Sequence, residues 1–185
     1  MESEKLEIVL IGPFGAGKST IGDLLARRLT LHSVSLDLHQ YYYRELGFDR
    51  EEFMRRGGAT LSHEADLYFQ TFFPGAVERL LEEHHNCIFD LGAGHTVFED
   101  QTLFARVRQA LAPYRNVVLV LPSPDREESI RVLRERERQR KANPQFLSDD
   151  FDYFGHWVKS HCNYDLAKIT VYTEGKTPNR PRRKC

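Results

Sequence analysis

Cysteine is scarce in this sequence: three in 185 residues, at positions 87, 162 and 185, odd in number and without CxxC spacing. That count argues against a disulfide framework or a zinc ribbon, and for a reducing compartment. An excess of one charge is lacking too. Lys and Arg total 26 against 27 Asp and Glu, a formal net charge of −1, so no global field draws the chain to nucleic acid or to a membrane. Any affinity for phosphate has to be local. Long hydrophobic runs are absent as well. The apolar run ending at Ile11 is too short for a signal segment or a membrane span, and we expect a cytoplasmic protein with neither nucleic-acid nor membrane partners. Internal repeats and low-complexity segments are missing. What is present, 41% hydrophobic residues in one domain's length of chain, excludes a disordered tail.

Strand-like and helix-like runs alternate along this length, the pattern of a parallel α/β sheet. Leu6 to Ile11, Ser33 to Asp37, Cys87 to Leu91, Val117 to Leu121 and Ile169 to Thr173 read as five strands. Lys18 to Leu29 carries Ile21, Leu24, Leu25 and Leu29 at helical spacing, and further helices are expected around Glu64 to Glu83, Gln101 to Leu111 and Asp125 to Lys141. Pro74 predicts a kink or break inside the second of these. Gly57-Gly58 predicts a turn between two short helices in the insertion that follows Asp37. Phe69, Phe72 and Phe73 read as core. The basic tail, residues 179–185, has nothing apolar to anchor it.

Gly12-Pro-Phe-Gly-Ala-Gly-Lys-Ser-Thr20 fits GxxxxGK[ST] between an expected strand and an expected helix, the context the motif requires. Gly12, Gly15 and Gly17 let the backbone around Ala16 take positive φ and turn its N–H groups inward, and the helix from Lys18 adds the positive end of its dipole. The concavity suits the polyphosphate of ATP. Lys18 is expected to reach the β- and γ-phosphates, the Ser19 hydroxyl to ligate Mg²⁺, and Thr20 to donate to the α-phosphate.

Asp37 and Asp90 stand at the C-terminal ends of two expected strands, where open parallel sheets bind ligands. Each can serve Mg²⁺ or orient an acceptor hydroxyl, because phosphoryl transfer asks mainly for positioning and charge neutralisation. Gly92, Ala93 and Gly94 follow directly and let a substrate approach the backbone. The basic run from Arg131 to Lys141 breaks at Ala142-Asn143-Pro144, which places a lid at about residues 134–150, with Arg134, Arg138 and Arg140 as candidates to close on the phosphates.

With the P-loop, Leu-Asp37, Asp-Leu-Gly92-Ala-Gly94, the Arg-rich lid and the late Tyr164-Asp-Leu-Ala167 and Thr-Glu-Gly-Lys-Thr-Pro178 in this order, the chain resembles the shikimate kinase family over nearly its whole length. The resemblance implies a three-layer P-loop NTPase fold with strand order 2-3-1-4-5 in a single domain, residues 1–178, with a substrate-binding insertion at about 38–83. It implies that Asp37 contacts acceptor hydroxyls, that Gly92, Ala93 and Gly94 lie beside the acceptor, that Lys176 and Pro178 border adenine, and that the protein works as a monomer or a weak homodimer. One departure concerns the acceptor. The family's two carboxylate-binding arginines are missing where this chain reads Gly57-Gly-Ala-Thr-Leu-Ser-His-Glu64 and Lys159-Ser-His-Cys-Asn-Tyr164. Furthermore, Ser35 stands where the family has the first Asp of Asp-x-Asp, and Asp90 where a small or hydroxylated residue is usual, so a metal-directed carboxylate has moved between strands. The expected activity is ATP-dependent phosphorylation of a hydroxyl on a small metabolite other than shikimate. The rivals are a nucleoside or nucleotide kinase stacking a base on Tyr41 to Tyr43, a non-catalytic ATP-binding switch, and a protein acceptor bound at Gly57 to Asp66.

Overall fold

The computed structural model describes residues 6–148 and 151–175. Its elements run β1 (Ile8–Ile11), α1 (Lys18–Leu29), β2 (His32–Ser35), α2 (Tyr41–Glu45), α3 (Arg50–Arg55), α4 (His63–Gln70), α5 (Phe73–Glu83), β3 (Cys87–Asp90), α6 (Gln101–Leu111), β4 (Asn116–Leu121), α7 (Arg126–Arg140), α8 (Tyr153–Lys159), α9 (His161–Leu166) and β5 (Ile169–Tyr172). The strands form one sheet in the order β2-β3-β1-β4-β5, every neighbouring pair parallel. This is the expected order, with helices on both faces. The strands that end up central are those with unbroken apolar sequence: Val9, Leu10 and Ile11 of β1, and Val117, Leu119 and Val120 of β4, are fully buried. After β1 the chain turns to one side to build β2 and β3, and later to the other for β4 and β5. The crevice at the C-terminal end of β1 is therefore the switch point at which such sheets take ligands.

Pro74 breaks the long expected helix rather than bending it. It sits in the first turn of α5, where a missing N–H is harmless, and α4 ends before it at Gln70. α5 then buries Val77, Leu80 and Leu81 against the core. In the insertion, Phe48 meets Phe53, Phe69 and Phe72 with ring centroids 5.5, 5.1 and 5.5 Å apart, and the aromatic run packs against the main core through Phe73. Asp49 and Ser62 cap α3 and α4.

Two details correct the sequence reading. β2 ends at Ser35, and Asp37 lies on a 3₁₀ turn, Leu36–Leu38, because Leu36 plugs fully into the core and swings the exposed Asp37 off the strand. α8 and α9, which periodicity did not reveal, follow the lid segment. Asp152 and Ser160 cap them, and α8 buries Tyr153, Phe154, Trp157 and Val158. Among the described residues no helix is long and apolar enough to cross a membrane. Lys176, Pro178, the tail and Cys185 lie outside the described residues, as do residues 149–150 of the expected lid.

Candidate functional site

The loop between β1 and α1 is shaped by its glycines: φ is 127° at Gly12, 78° at Gly15 and 104° at Gly17, all in the region that side chains avoid. At Gly12 a Cβ would also lie 2.5 Å from the Val120 carbonyl oxygen. Gly12→Ala is accordingly expected to cost about 3 kcal/mol through strain and overpacking together. Thermal unfolding should register a drop of roughly 6–12 °C for a chain of this size. A Tm within 2 °C of wild type would show that the loop gives way without cost.

α1 starts differently from most of its neighbours. Its N-cap, Gly17, offers no side-chain acceptor and its first turn has no acidic residue, whereas Asp100 and Asp125 cap α6 and α7. The first-turn amides are thus left for an anion, next to the dipole's positive end. Lys18 is buried, and its Nζ donates to the carbonyls of Gly12 at 2.9 Å and Pro13 at 3.2 Å. An ammonium has three donors, so one remains for a ligand. Burial lowers the Lys18 pKa, against the pull of Asp90 and then Asp37. The same cause raises Asp90, opposed by Lys18 and by the Ser19 hydroxyl, which donates to Asp90 Oδ2 at 2.6 Å. Ser19 and Thr20 are exposed at the mouth of the loop.

Lys18, Ser19, Thr20, Asp37, Asp90 and Ala93 all border one cleft of about 1210 Å³, room for more than a single small ligand. Its far end runs along the sheet past Leu25, Val118 and Val171. Gly92 is needed for space rather than for its backbone angles. A Cβ there would stand 2.4 Å from Asp37 Oδ1 and 2.6 Å from His95 Nδ1, while one on Gly94 would press on the Phe73 ring at 3.0 Å.

The lid arginines require a correction. Arg134 pairs with Asp152 at 2.8 Å and Arg138 lies 3.7 Å from Glu135, and neither borders the cleft. The α7 arginines that do are Arg136 and Arg140, one helical turn apart on the face turned to the loop, and Arg27 and Arg28 of α1 border it as well. Arg136 donates to the Gly15 carbonyl at 3.0 Å, and the Arg140 guanidinium lies over the Phe14 ring at 5.5 Å. Beyond the break, Phe146 packs on Phe14, Tyr153 and Trp157.

Sequence reasoning also missed Thr173, whose hydroxyl donates to the Ala16 carbonyl at 3.1 Å and ties the end of β5 to the loop, and His95, buried beside Asp37. A base cannot stack on Tyr42 or Tyr43: they are 0% and 5% exposed, with Tyr42 donating to Glu83 at 2.6 Å and Tyr43 bonded to His95. Where the family's carboxylate-binding arginines are missing, three basic side chains in or beside the altered segments have acidic neighbours. Arg56 pairs with Glu52 at 2.6 Å, His63 meets Glu99 at 3.1 Å, and Lys159 meets Glu127 at 2.7 Å.

Comparison with known proteins agrees with this architecture. A family model described as an AAA domain matches residues 8–150. The shikimate kinase of Streptomyces coelicolor is 32% identical over 92% of this chain and 88% of its own length. That of Colwellia psychrerythraea is 32% identical over 95% of this chain and 91% of its own. Among solved structures, shikimate kinase from Acinetobacter baumannii in complex with shikimate superposes with a TM-score of 0.59 at 20% identity, covering 92% of this chain and 84% of that one. The enzyme from Bacteroides thetaiotaomicron gives 0.57 at 21%, covering 91% and 86%. These two likenesses are likenesses of fold.

Proposed function

The chain belongs to the shikimate kinase family and is an ATP-dependent small-molecule kinase, and from that premise we propose that it transfers the γ-phosphate to a hydroxyl of a small acceptor that carries no carboxylate. The observation that carries the transfer reading is the convergence of Lys18, Ser19, Asp37 and Asp90 on one cleft at the end of β1. The observation against a carboxylate is that no arginine stands in the two altered segments, while Arg56 beside the first faces Glu52, His63 faces Glu99 and Lys159 in the second faces Glu127. A carboxylate placed against those two segments would give up hydration without gaining an arginine fork there.

In this reading the amides from Gly15 to Thr20 hold the phosphate oxygens of ATP, and Lys18 turns its remaining donor to the β- and γ-phosphates. Ser19 and Asp90 fit Mg²⁺: they are hard oxygen donors, already in contact, one of them a buried carboxylate. When bound there, the ion supplies charge neutralisation for the phosphate oxygens. Asp37 accepts the hydrogen bond of the acceptor hydroxyl and aims its oxygen along the line of attack. Glycines at 92 and 94 keep the backbone bare beside it, with Ala93 between them. Arg136 and Arg140, in place of Arg134 and Arg138, lie nearest to charge developing over the loop. One domain carries the whole reaction.

The test is ADP release from ATP and Mg²⁺ with three acceptors that share one ring: shikimate, its methyl ester and its primary amide. We expect kcat/KM for the ester or the amide to exceed that for shikimate about tenfold or more, the effect of one unpaired charge in a partly desolvated site. Preference for shikimate itself would overturn the carboxylate-free acceptor. ATP binding with no release above background for any of the three would favour the non-catalytic switch.

A further inference from the structure

His95 has no assigned task, and its surroundings are unusual for a core histidine. It is 6% exposed, its ring lies 4.7 Å from that of Phe73, and one nitrogen, Nε2, is bonded to the Tyr43 hydroxyl. The other, Nδ1, is buried against the Gly92 backbone and makes no hydrogen bond of good geometry. An orphan of this kind is costly unless something uses it. The Nδ1 edge of the ring and the Asp37 carboxylate converge on the same point above Gly92, 2.6 and 2.4 Å from where a Cβ would stand.

The tautomer follows from a count of hydrogens. The Tyr43 hydroxyl is buried, and its pKa is pushed upward by burial, so it keeps its proton. Among the described residues His95 is its partner, and the hydroxyl hydrogen goes to Nε2. The ring's own hydrogen is then on Nδ1, on the side of Asp37. The opposite tautomer would leave two groups unmatched, the Tyr43 hydrogen and the Nδ1 lone pair. Burial also disfavours a charged imidazolium, so the ring is a hydrogen-bond donor and not a base.

We propose that His95 is a positioning residue for transfer: its tautomer set by Tyr43, it presents the Nδ1 hydrogen to the Asp37 carboxylate, bonds one oxygen of it when the acceptor binds, and leaves the other to take the acceptor hydroxyl. Asp37 is exposed on a short turn, where a carboxylate otherwise rotates freely, and a fixed donor behind it removes that freedom. Gly92 is the spacer that lets the two approach. The inference rests on the reading of Asp37 as the group that orients the acceptor.

Two amide replacements separate positioning from packing. Asparagine can present a donor near the place of Nδ1, whereas glutamine reaches toward Nε2 and the tyrosine. With the most active of the three acceptors above, His95→Gln is expected to lower kcat ten- to a hundredfold, the usual effect of removing an outer partner, with KM for ATP and acceptor changed less than threefold. His95→Asn should recover most of that loss. Equal kcat in the two variants, or wild-type kcat in His95→Gln, overturns the role while leaving the kinase reading intact. Absence of turnover of all three acceptors by wild type removes the kinase reading and this role with it. The arrangement has its own readout, which needs no turnover and, for its first arm, no variant. In ¹⁵N-histidine-labelled wild type, the long-range ¹H–¹⁵N spectrum should show one neutral ring protonated at Nδ1 from pH 6 to pH 8, and Tyr43→Phe should shift it toward the other tautomer. A ring protonated at Nε2 in wild type overturns the proposal.

Discussion

Replacing Lys18 with methionine is expected to lower kcat/KM about a thousandfold or more while the protein stays folded. Methionine keeps the length and apolar stem of a side chain that is 8% exposed, so the cavity remains filled. What disappears is the ammonium that bonds the Gly12 and Pro13 carbonyls, whose third hydrogen is available to a γ-phosphate. A donor preorganised in a desolvated site is worth on the order of 10²–10³ in rate, and a full charge placed on developing charge is worth more. A thousandfold corresponds to about 4 kcal/mol of transition-state stabilisation. ATP affinity should fall less than kcat, because the loop amides and the α1 dipole remain. Steady-state ADP release together with nucleotide titration by calorimetry measures both. A kcat within tenfold of wild type would mean that Lys18 only anchors the loop.

The parts of the site that were legible in the sequence are those whose chemistry is local. Gly12, Gly15 and Gly17 each occupy a backbone conformation open to almost no other residue, so their spacing alone announces the loop. The central strands are legible because burial on both faces demands unbroken apolar sequence, as in β1 and β4. Arg136 was not legible. α7 is so densely charged that Ile130 and Leu133 are its only buried apolar side chains, too few to fix which face turns inward, and the neighbouring Arg134 and Arg138 fit the spacing equally well. α8 and α9, of seven and six residues, are too short for a 3.6-residue period to register. His95 was hidden for another reason. Its meaning lies in Tyr43, 52 positions away, and in the missing Cβ of Gly92, and no spacing rule joins the three. Ser19 and Asp90 are 71 positions apart, and that pair could be anticipated only because parallel strands bring their C-terminal ends together.

The second large effect is expected at Asp90. Asp90→Asn should abolish Mg²⁺-dependent turnover, about a hundredfold or more, with ATP still bound, because the amide keeps the shape and the Ser19 contact but loses the charge. The pH dependence separates a metal carboxylate from a structural one. Burial raises the Asp90 pKa above the ordinary carboxylate value of about 4, so its charged form is lost as pH falls through a higher range than that of an exposed aspartate. Mg²⁺ competes with that proton. Wild-type activity should therefore fall on the acid side, and the midpoint should move to lower pH as Mg²⁺ is raised, by no more than about one unit for each tenfold increase. The residual activity of Asp90→Asn should lack that dependence. In Asp37→Asn the metal dependence should persist while acceptor-stimulated ADP release is lost, since the proposed reading gives that carboxylate to the acceptor and Asp90, not Asp37, bonds Ser19. An acid midpoint in wild type that ignores Mg²⁺ between 0.1 and 10 mM, or one in Asp37→Asn that ignores it while Asp90→Asn keeps it, would return the metal to Asp37. Asp90 would then serve only to hold Ser19 and to balance the buried Lys18.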